Sequence, residues 1–145
     1  MFLVGFIFAV IAGISMSVQG IFNTRVSEKL GVWQTNILVQ GTALLLAIFV
    51  FFVLKPGTFT EIKNVNKIYL TGGFFAVIIT FTVMEAIKKV GITAAVSTIL
   101  VAQLTSASLI DYLGIFQANC TKFDVSKIIG VIVMITGILI FKCKG

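Results

Sequence analysis

The sequence predicts an all-helical integral membrane protein with five transmembrane helices in each chain. Of the 145 residues, 59% are hydrophobic and only 11% are charged, with one proline and no histidine. A soluble domain of this size could not bury so much apolar surface. The lysines and arginines stand between the apolar runs, where they act as anchors at the membrane interface. The basic balance therefore indicates contact with the lipid bilayer and no nucleic-acid partner.

Five apolar runs, separated by charged or helix-breaking residues, define a single transmembrane domain over residues 1–145. In a bilayer every backbone polar group needs an internal partner, so each run is expected to be a helix. The first run lacks the cationic start and the cleavage site of a signal peptide, and we interpret it as a span. The approximate spans are 2–23, 32–54, 68–86, 91–111 and 126–142.

The first predicted helix carries a polar stripe formed by Ser15, Gln19 and Asn23, which recur every four residues on one face. The stripe begins at mid-membrane and ends near the interface. Polar groups in hydrocarbon either join helices or line a substrate path, and both interpretations stay open here. A short polar turn is expected to follow, containing Arg25, Glu28 and Lys29.

The second helix begins beside Trp33, as expected for an aromatic residue at the interface, and carries Asn36 and Gln40 four residues apart. Its second half is uniformly apolar and is expected to face lipid. Lys55-Pro56-Gly57 stops it, and a polar linker from 58 to 67 leads to the third helix.

The third helix ends on Glu85, which is followed by Lys88 and Lys89. The spacing favours local ion pairs at i+3 and i+4. A site for a proton or a cationic substrate is the alternative for this carboxylate.

The fourth helix is the most polar of the five, although its run from 90 to 110, 21 residues long, carries no charge. Many of its hydroxyls can bond to the helix's own backbone, but the Gln103 amide cannot easily do so. We expect Gln103 and Ser106 to line a polar cavity, with helix–helix contact as the alternative. Asp111 follows, and could cap a turn, pair with a lysine, or hold a proton or cation.

The fifth helix is short between its flanking lysines, whose side chains can extend its reach by snorkelling. Gly130 and Gly137 lie seven residues apart on one face, a spacing that favours close helix packing, here between two copies of the chain.

The segment from Gln103 to Gly114 resembles the fourth helix of YdcZ-type proteins, a five-helix family of the drug/metabolite transporter superfamily. That pattern has a Gln, small or apolar residues, and an ending in Asp-x-x-Gly, which Asp111 and Gly114 match. Tyr112 departs from it, since the family's usual residue is His. Further matches to the first and second helices are Gly13, Gln19, Gly20, Asn23 and Gly41.

The resemblance implies an assembly as well as a fold. Larger superfamily members, the EamA-type transporters, have ten helices in two inverted repeats, so two inverted copies of a five-helix chain would give the same architecture. The glycine spacing of the last helix resembles the dimerising helix of small multidrug-resistance proteins. Those proteins keep an essential Glu in the first helix. This chain has none there, which argues against a simple proton-for-cation exchange.

The positive charges give almost no orientation signal. Five spans place the termini on opposite sides of the membrane. One side receives five lysines, Lys55, Lys63, Lys67, Lys122 and Lys127. The other receives six cations, Arg25, Lys29, Lys88, Lys89, Lys142 and Lys144. Because orientation follows an excess of cations on the cytoplasmic side, we expect dual topology. A single orientation, set by the charge-poor N-terminus or by a partner, is the alternative.

These patterns predict a secondary transporter of an unidentified small polar or amphipathic metabolite in the bacterial cytoplasmic membrane. It would act by alternating access within an antiparallel homodimer, with the substrate site at the repeat interface. The substrate-binding residues would be Ser15, Gln19, Asn23, Gln40, Gln103 and Ser106. A non-transporting subunit that needs an unlike partner is the alternative. The sequence has no nucleophile–base pair, metal-ligand cluster or phosphate loop, so we expect no enzyme, no metal and no cofactor.

Overall fold

A computed structural model describes residues 2–54, 57–114 and 125–143, and within them the chain forms five α-helices. They are α1 (Phe2–Leu30), α2 (Val32–Leu54), α3 (Gly72–Val90), α4 (Ile92–Leu113) and α5 (Val125–Cys143). The first four are long and apolar enough to span a membrane, the third of them when counted from Lys67. The apolar part of α5, Ile129–Ile140, is shorter. The all-helical class is confirmed, whereas most of the predicted loop between α4 and α5 lies outside the described residues.

The connection between α1 and α2 differs from the expected polar turn. Arg25, Glu28 and Lys29 lie in the last turns of α1, where Arg25 Nη1 and Glu28 Oε2 are 3.3 Å apart. Placing the turn at these residues was wrong, because charged side chains at i and i+3 support a helix. Gly31 ends α1 instead, with φ of 94°, a conformation that favours glycine. Its amide donates to the Ser27 carbonyl at 3.0 Å.

The chain divides into two compact units, Met1–Lys89 and Val90–Gly145. In the first unit, α1, α2 and α3 pack together at one end. The residues buried there are Gly20, Thr24, Ser27, Thr35, Asn36 and Met84. Small residues allow helix backbones to approach closely.

The hydroxyls in this packed end are satisfied locally. Thr24 Oγ1 donates to the Gly20 carbonyl at 2.7 Å, and Thr35 Oγ1 donates to the Gly31 carbonyl at 2.8 Å. Each bond stays within its own helix, so the hydroxyls add no cross-helix bond and are buried without cost. The close contact between the helices here therefore comes from small side chains such as that of Gly20. A Cβ placed on Gly20 would lie 3.0 Å from Ile87 Cδ1 of α3.

The second unit consists of α4 packed against α5. Helix α4 ends on Gly114, whose φ is 60° and whose amide donates to the Ile110 carbonyl. This left-handed C-cap satisfies a carbonyl that the helix end would otherwise leave open.

Large apolar side chains cover the outside of the helices. On the second half of α2 the exposed ones include Leu44, Leu45, Leu46, Phe49 and Phe52. An aqueous protein would bury them, whereas a bilayer solvates them. Between α2 and α3, residues 57–71 form two short 3₁₀ turns, Thr60–Asn64 and Lys67–Thr71.

Candidate functional site

The polar stripe of α1 lies along an open, shallow surface groove that α1 alone lines, and we call this groove the α1 cleft. The lining residues are Ile14, Ser15, Val18, Gln19, Phe22 and Asn23. Ser15 and Gln19 are exposed and Asn23 is partly exposed. All three polar residues predicted on this helix therefore share one surface, which the apolar side chains of Ile14, Val18 and Phe22 flank.

The stripe differs from the other polar side chains of α1 in its hydrogen bonding. Ser17 Oγ donates to the Gly13 carbonyl at 3.1 Å, which removes its hydroxyl from the surface chemistry. Ser15, Gln19 and Asn23 form no hydrogen bond with any residue that the structure describes. In hydrocarbon an amide without a partner costs free energy, about 1–3 kcal/mol on the scale of protein mutations. Gln19 and Asn23 are consequently suited to bind a partner outside the unit.

On α2, the amides of Asn36 and Gln40 bind α3. Asn36 Nδ2 donates to the Val77 carbonyl at 2.9 Å, and Gln40 Nε2 donates to Thr80 Oγ1 at 3.2 Å. One turn earlier, the Trp33 ring stacks on Phe81 with centroids 5.0 Å apart. The predicted site residue Gln40 thus has a helix–helix partner. Its carboxamide oxygen is not part of that bond, so binding of a substrate by Gln40 stays a prediction.

Asn36 is buried more deeply than its sequence position suggested. The residue is 3% exposed, and its Oδ1 is buried without a hydrogen-bond partner among the described residues. Turning the amide over would place Oδ1 against the Val77 carbonyl, which also accepts, so the observed orientation is the better one. The only signal for this contact in the sequence was the i, i+4 spacing of Asn36 and Gln40.

In the second unit, Gln103 and Ser106 are exposed on α4. They form no hydrogen bond with the described residues, whereas Thr98 and Thr105 donate to the carbonyls four residues earlier, as expected. A separate cleft of about 200 Å³ lies between α4 and α5. It is lined by Ser97, Leu100, Val101, Met134, Gly137 and Ile138. Sequence reasoning missed this cleft, and it predicted Gly137 at a contact between copies, which stays a prediction.

The two candidate carboxylates lie near helix ends, although α3 does not end on Glu85 as predicted and continues to Val90. Glu85 Oε2 is 3.5 Å from Lys89 Nζ, and Glu85 Oε1 is 3.8 Å from Lys88 Nζ. The local ion pairs that the spacing favours are therefore present. Asp111 lies in the last turn of α4 and is partly buried. No group of three potential metal ligands occurs among the described side chains.

A protein family described as "Putative inner membrane exporter, YdcZ" matches residues 4–140 of this chain. The chain belongs to the YdcZ family. No curated protein and no solved structure matches it.

Membership of the YdcZ family confirms the predicted multi-pass location in the inner membrane, in agreement with the long apolar helices. It also supports transport across that membrane as the general function, since the YdcZ family is one of exporters and not of enzymes. The substrate-facing roles of Ser15, Gln19, Asn23, Gln103 and Ser106, and the proton or cation roles of Glu85 and Asp111, stay predictions.

Proposed function

We propose that this protein is a secondary transporter that exports a small polar or amphipathic metabolite. The observation that carries the proposal is the cleft on α1, where Gln19 and Asn23 present amides that have no hydrogen-bond partner among the described residues, beside Phe22 and Val18. Such a surface offers hydrogen-bond donors and acceptors to the polar part of a ligand and apolar contact to the rest. The family is described as one of inner membrane exporters, and the α1 cleft lies on a helix long enough to span the membrane. This location suits a path for a substrate.

The proposal includes a second copy in the opposite orientation. A cleft open on one side needs another wall, and an inverted copy would supply one while placing two equivalent clefts about a twofold axis in the membrane plane. The exposed glycines Gly130 and Gly137 of α5 offer a surface for contact between copies, because no atom of the described residues lies within 4 Å of an added Cβ. The near-equal charges on the two sides permit insertion in both orientations.

In this mechanism the substrate binds between the α1 clefts of the two copies. Gln19 and Asn23 exchange hydrogen bonds with its polar group. Rocking of the two inverted halves then exposes the site to one side of the membrane and next to the other. The paired Glu85 serves the structure of α3 and does not carry the coupling ion.

The test is transport by the full chain in proteoliposomes loaded with a panel of metabolites, each followed by efflux. Gln19→Ala should lower the efflux of any transported compound by about tenfold, the value of one hydrogen bond of roughly 1.4 kcal/mol. Ser17→Ala is the matched control, because Ser17 lies on the same helix but bonds to its own backbone. Equal efflux from Gln19→Ala and the unaltered protein would remove the α1 cleft from the pathway. Absence of any efflux would favour a subunit that needs an unlike partner.

A further inference from the structure

The linker between α2 and α3, residues 57–71, exposes an unusual amount of apolar surface for a polar connection. Phe59 is 71% exposed and Ile68 is 62% exposed, and Ile62, Val65 and Leu70 are exposed as well. A linker in water would place fewer large apolar side chains at its surface. Exposed apolar side chains in this number suit a segment that lies against an apolar surface.

Apolar and polar side chains alternate closely along the linker. Phe59, Ile62, Val65 and Ile68 recur at every third residue. Ile62 lies in the first 3₁₀ turn and Ile68 in the second, whereas Phe59 and Val65 cap the first turn and Val65 is extended. Between them stand polar residues, chiefly Glu61, Lys63, Asn64 and Lys67. The segment therefore places large apolar side chains and cations within a few residues of each other.

Side-chain contacts hold this arrangement. The Asn64 amide donates to the Glu61 carboxylate, and Asn66 Oδ1 accepts from the Ile68 amide at 3.1 Å. The second bond caps the turn that leads directly into α3. The linker therefore has a local structure that side-chain hydrogen bonds support.

An aromatic contact places the linker close to the hydrocarbon. The Phe59 ring lies against the Phe51 ring in the last turn of α2, with centroids 5.2 Å apart. Because α2 spans the membrane and ends at Leu54, this contact brings the start of the linker back to the membrane boundary. Helix α3 follows without a gap after Thr71, so the segment is tethered to spanning helices at both ends.

We propose that residues 57–71 form an interfacial anchor that binds anionic phospholipid. Phe59, Ile62, Val65 and Ile68 lie at the boundary of the acyl chains, as in amphipathic helices that lie in the membrane plane. Lys63 and Lys67 contact phosphate headgroups, while Glu61, the single carboxylate of the segment, accepts a hydrogen bond from Asn64. This inference does not depend on transport or on the second copy, because it concerns the contact of one chain with its own leaflet.

The depth of the linker tests the first half of the proposal. The full chain, with Cys120→Ser and Cys143→Ser, is spin-labelled at one position at a time and reconstituted in vesicles of phosphatidylcholine and phosphatidylglycerol. Labels at Ile62→Cys and Ile68→Cys should be accessible to oxygen and shielded from an aqueous nickel chelate. The matched positions Thr60→Cys and Asn64→Cys should show the reverse. Access of the chelate to all four labels, or shielding from both reagents as under a second protein copy, would each overturn the proposal.

Lipid selectivity tests the second half. Spin-labelled phosphatidylglycerol should be enriched over phosphatidylcholine next to the protein, and the double variant Lys63→Gln, Lys67→Gln should lower that enrichment at least twofold. Lys29→Gln is the control, because it removes a cation from the end of α1. An equal effect of both changes, or no enrichment around the unaltered protein, would contradict a lipid site at the linker. Because both leaflets have the same composition, the orientation of each copy does not affect the result.

Discussion

At the scale of single residues, Asn36 shows how a polar side chain can join helices at a cost. Its Nδ2 reaches the Val77 carbonyl across the α2–α3 contact, while its Oδ1 is buried without a partner in the described part of the chain. A buried acceptor without a donor costs about 1–3 kcal/mol. The contact therefore favours one pairing of the two helices more than it stabilises them.

Asn36→Asp should destabilise the first unit by at least about 2 kcal/mol, because it places a carboxylate oxygen against the Val77 carbonyl in a buried position. Thermal unfolding in detergent, followed by helical circular dichroism, measures the effect. Asn66→Asp is the control, since Asp accepts at an N-cap as well as Asn. Similar unfolding temperatures for the two variants would show that the Asn36 bond is not made.

For Glu85 we expect only a small effect of substitution, in contrast to Asn36. Its side chain is 30% exposed and pairs with Lys88 and Lys89 within one helix turn. Partly exposed pairs of this kind contribute about 0.5 kcal/mol or less. Glu85→Gln should therefore leave efflux from proteoliposomes within about twofold of the unaltered protein. Loss of transport with normal folding would instead assign the carboxylate to the proton or cation site.

At the scale of helices, α1 presents two surfaces with different partners. Around Gly20 it contacts α3, where Ile87 and Val83 approach to within 3.0 and 3.4 Å of an added Cβ. Around Gly13, no atom in the part of the chain that the structure describes lies within 4 Å of an added Cβ. One glycine thus serves packing within the unit, and the other leaves a surface open to lipid or to another chain.

Gly20→Val should lower the stability of the unit by about 1–3 kcal/mol, because the added methyl groups push Ile87 out of its position. Ile87→Ala in the same chain should recover part of the loss by making room. Gly13→Val, measured in the same detergent unfolding experiment, should have little effect. If both valines were equally harmful, their effect would come from helix propensity and not from the α1–α3 contact.

At the scale of the whole molecule, the near balance of cations controls orientation. Fusing the C-terminus to reporters active on opposite sides of the membrane should give comparable signals from both. Lys63→Gln with Lys67→Gln leaves three cations on one side against six on the other, so the C-terminus should become cytoplasmic. Lys88→Gln with Lys89→Gln should shift the signals the other way. A single active reporter for the unaltered chain would exclude dual topology.

The sequence alone determined the class of the protein and most of its elements. Apolar runs between charges give five helices because only hydrogen-bonded helices can place such runs in hydrocarbon. Ser15, Gln19 and Asn23 are spaced four residues apart, and residues at this spacing lie on one face of an α-helix. Their common face could therefore be predicted, and the structure has all three on one surface. These inferences depend only on residues that are close along the chain, and their spacing can be taken directly from the sequence.

Only the tertiary structure decided which polar groups are paired. Asn36 and Gln40 share a spacing with Gln19 and Asn23, yet the first two bind α3 and the last two face an open cleft. The helix end at Gly31, the close approach at Gly20 and the Phe51–Phe59 contact also depend on backbone conformation or on residues distant in sequence. Periodicity specifies a face of a helix, but the neighbour against which that face packs is set by the fit of side chains across the whole unit.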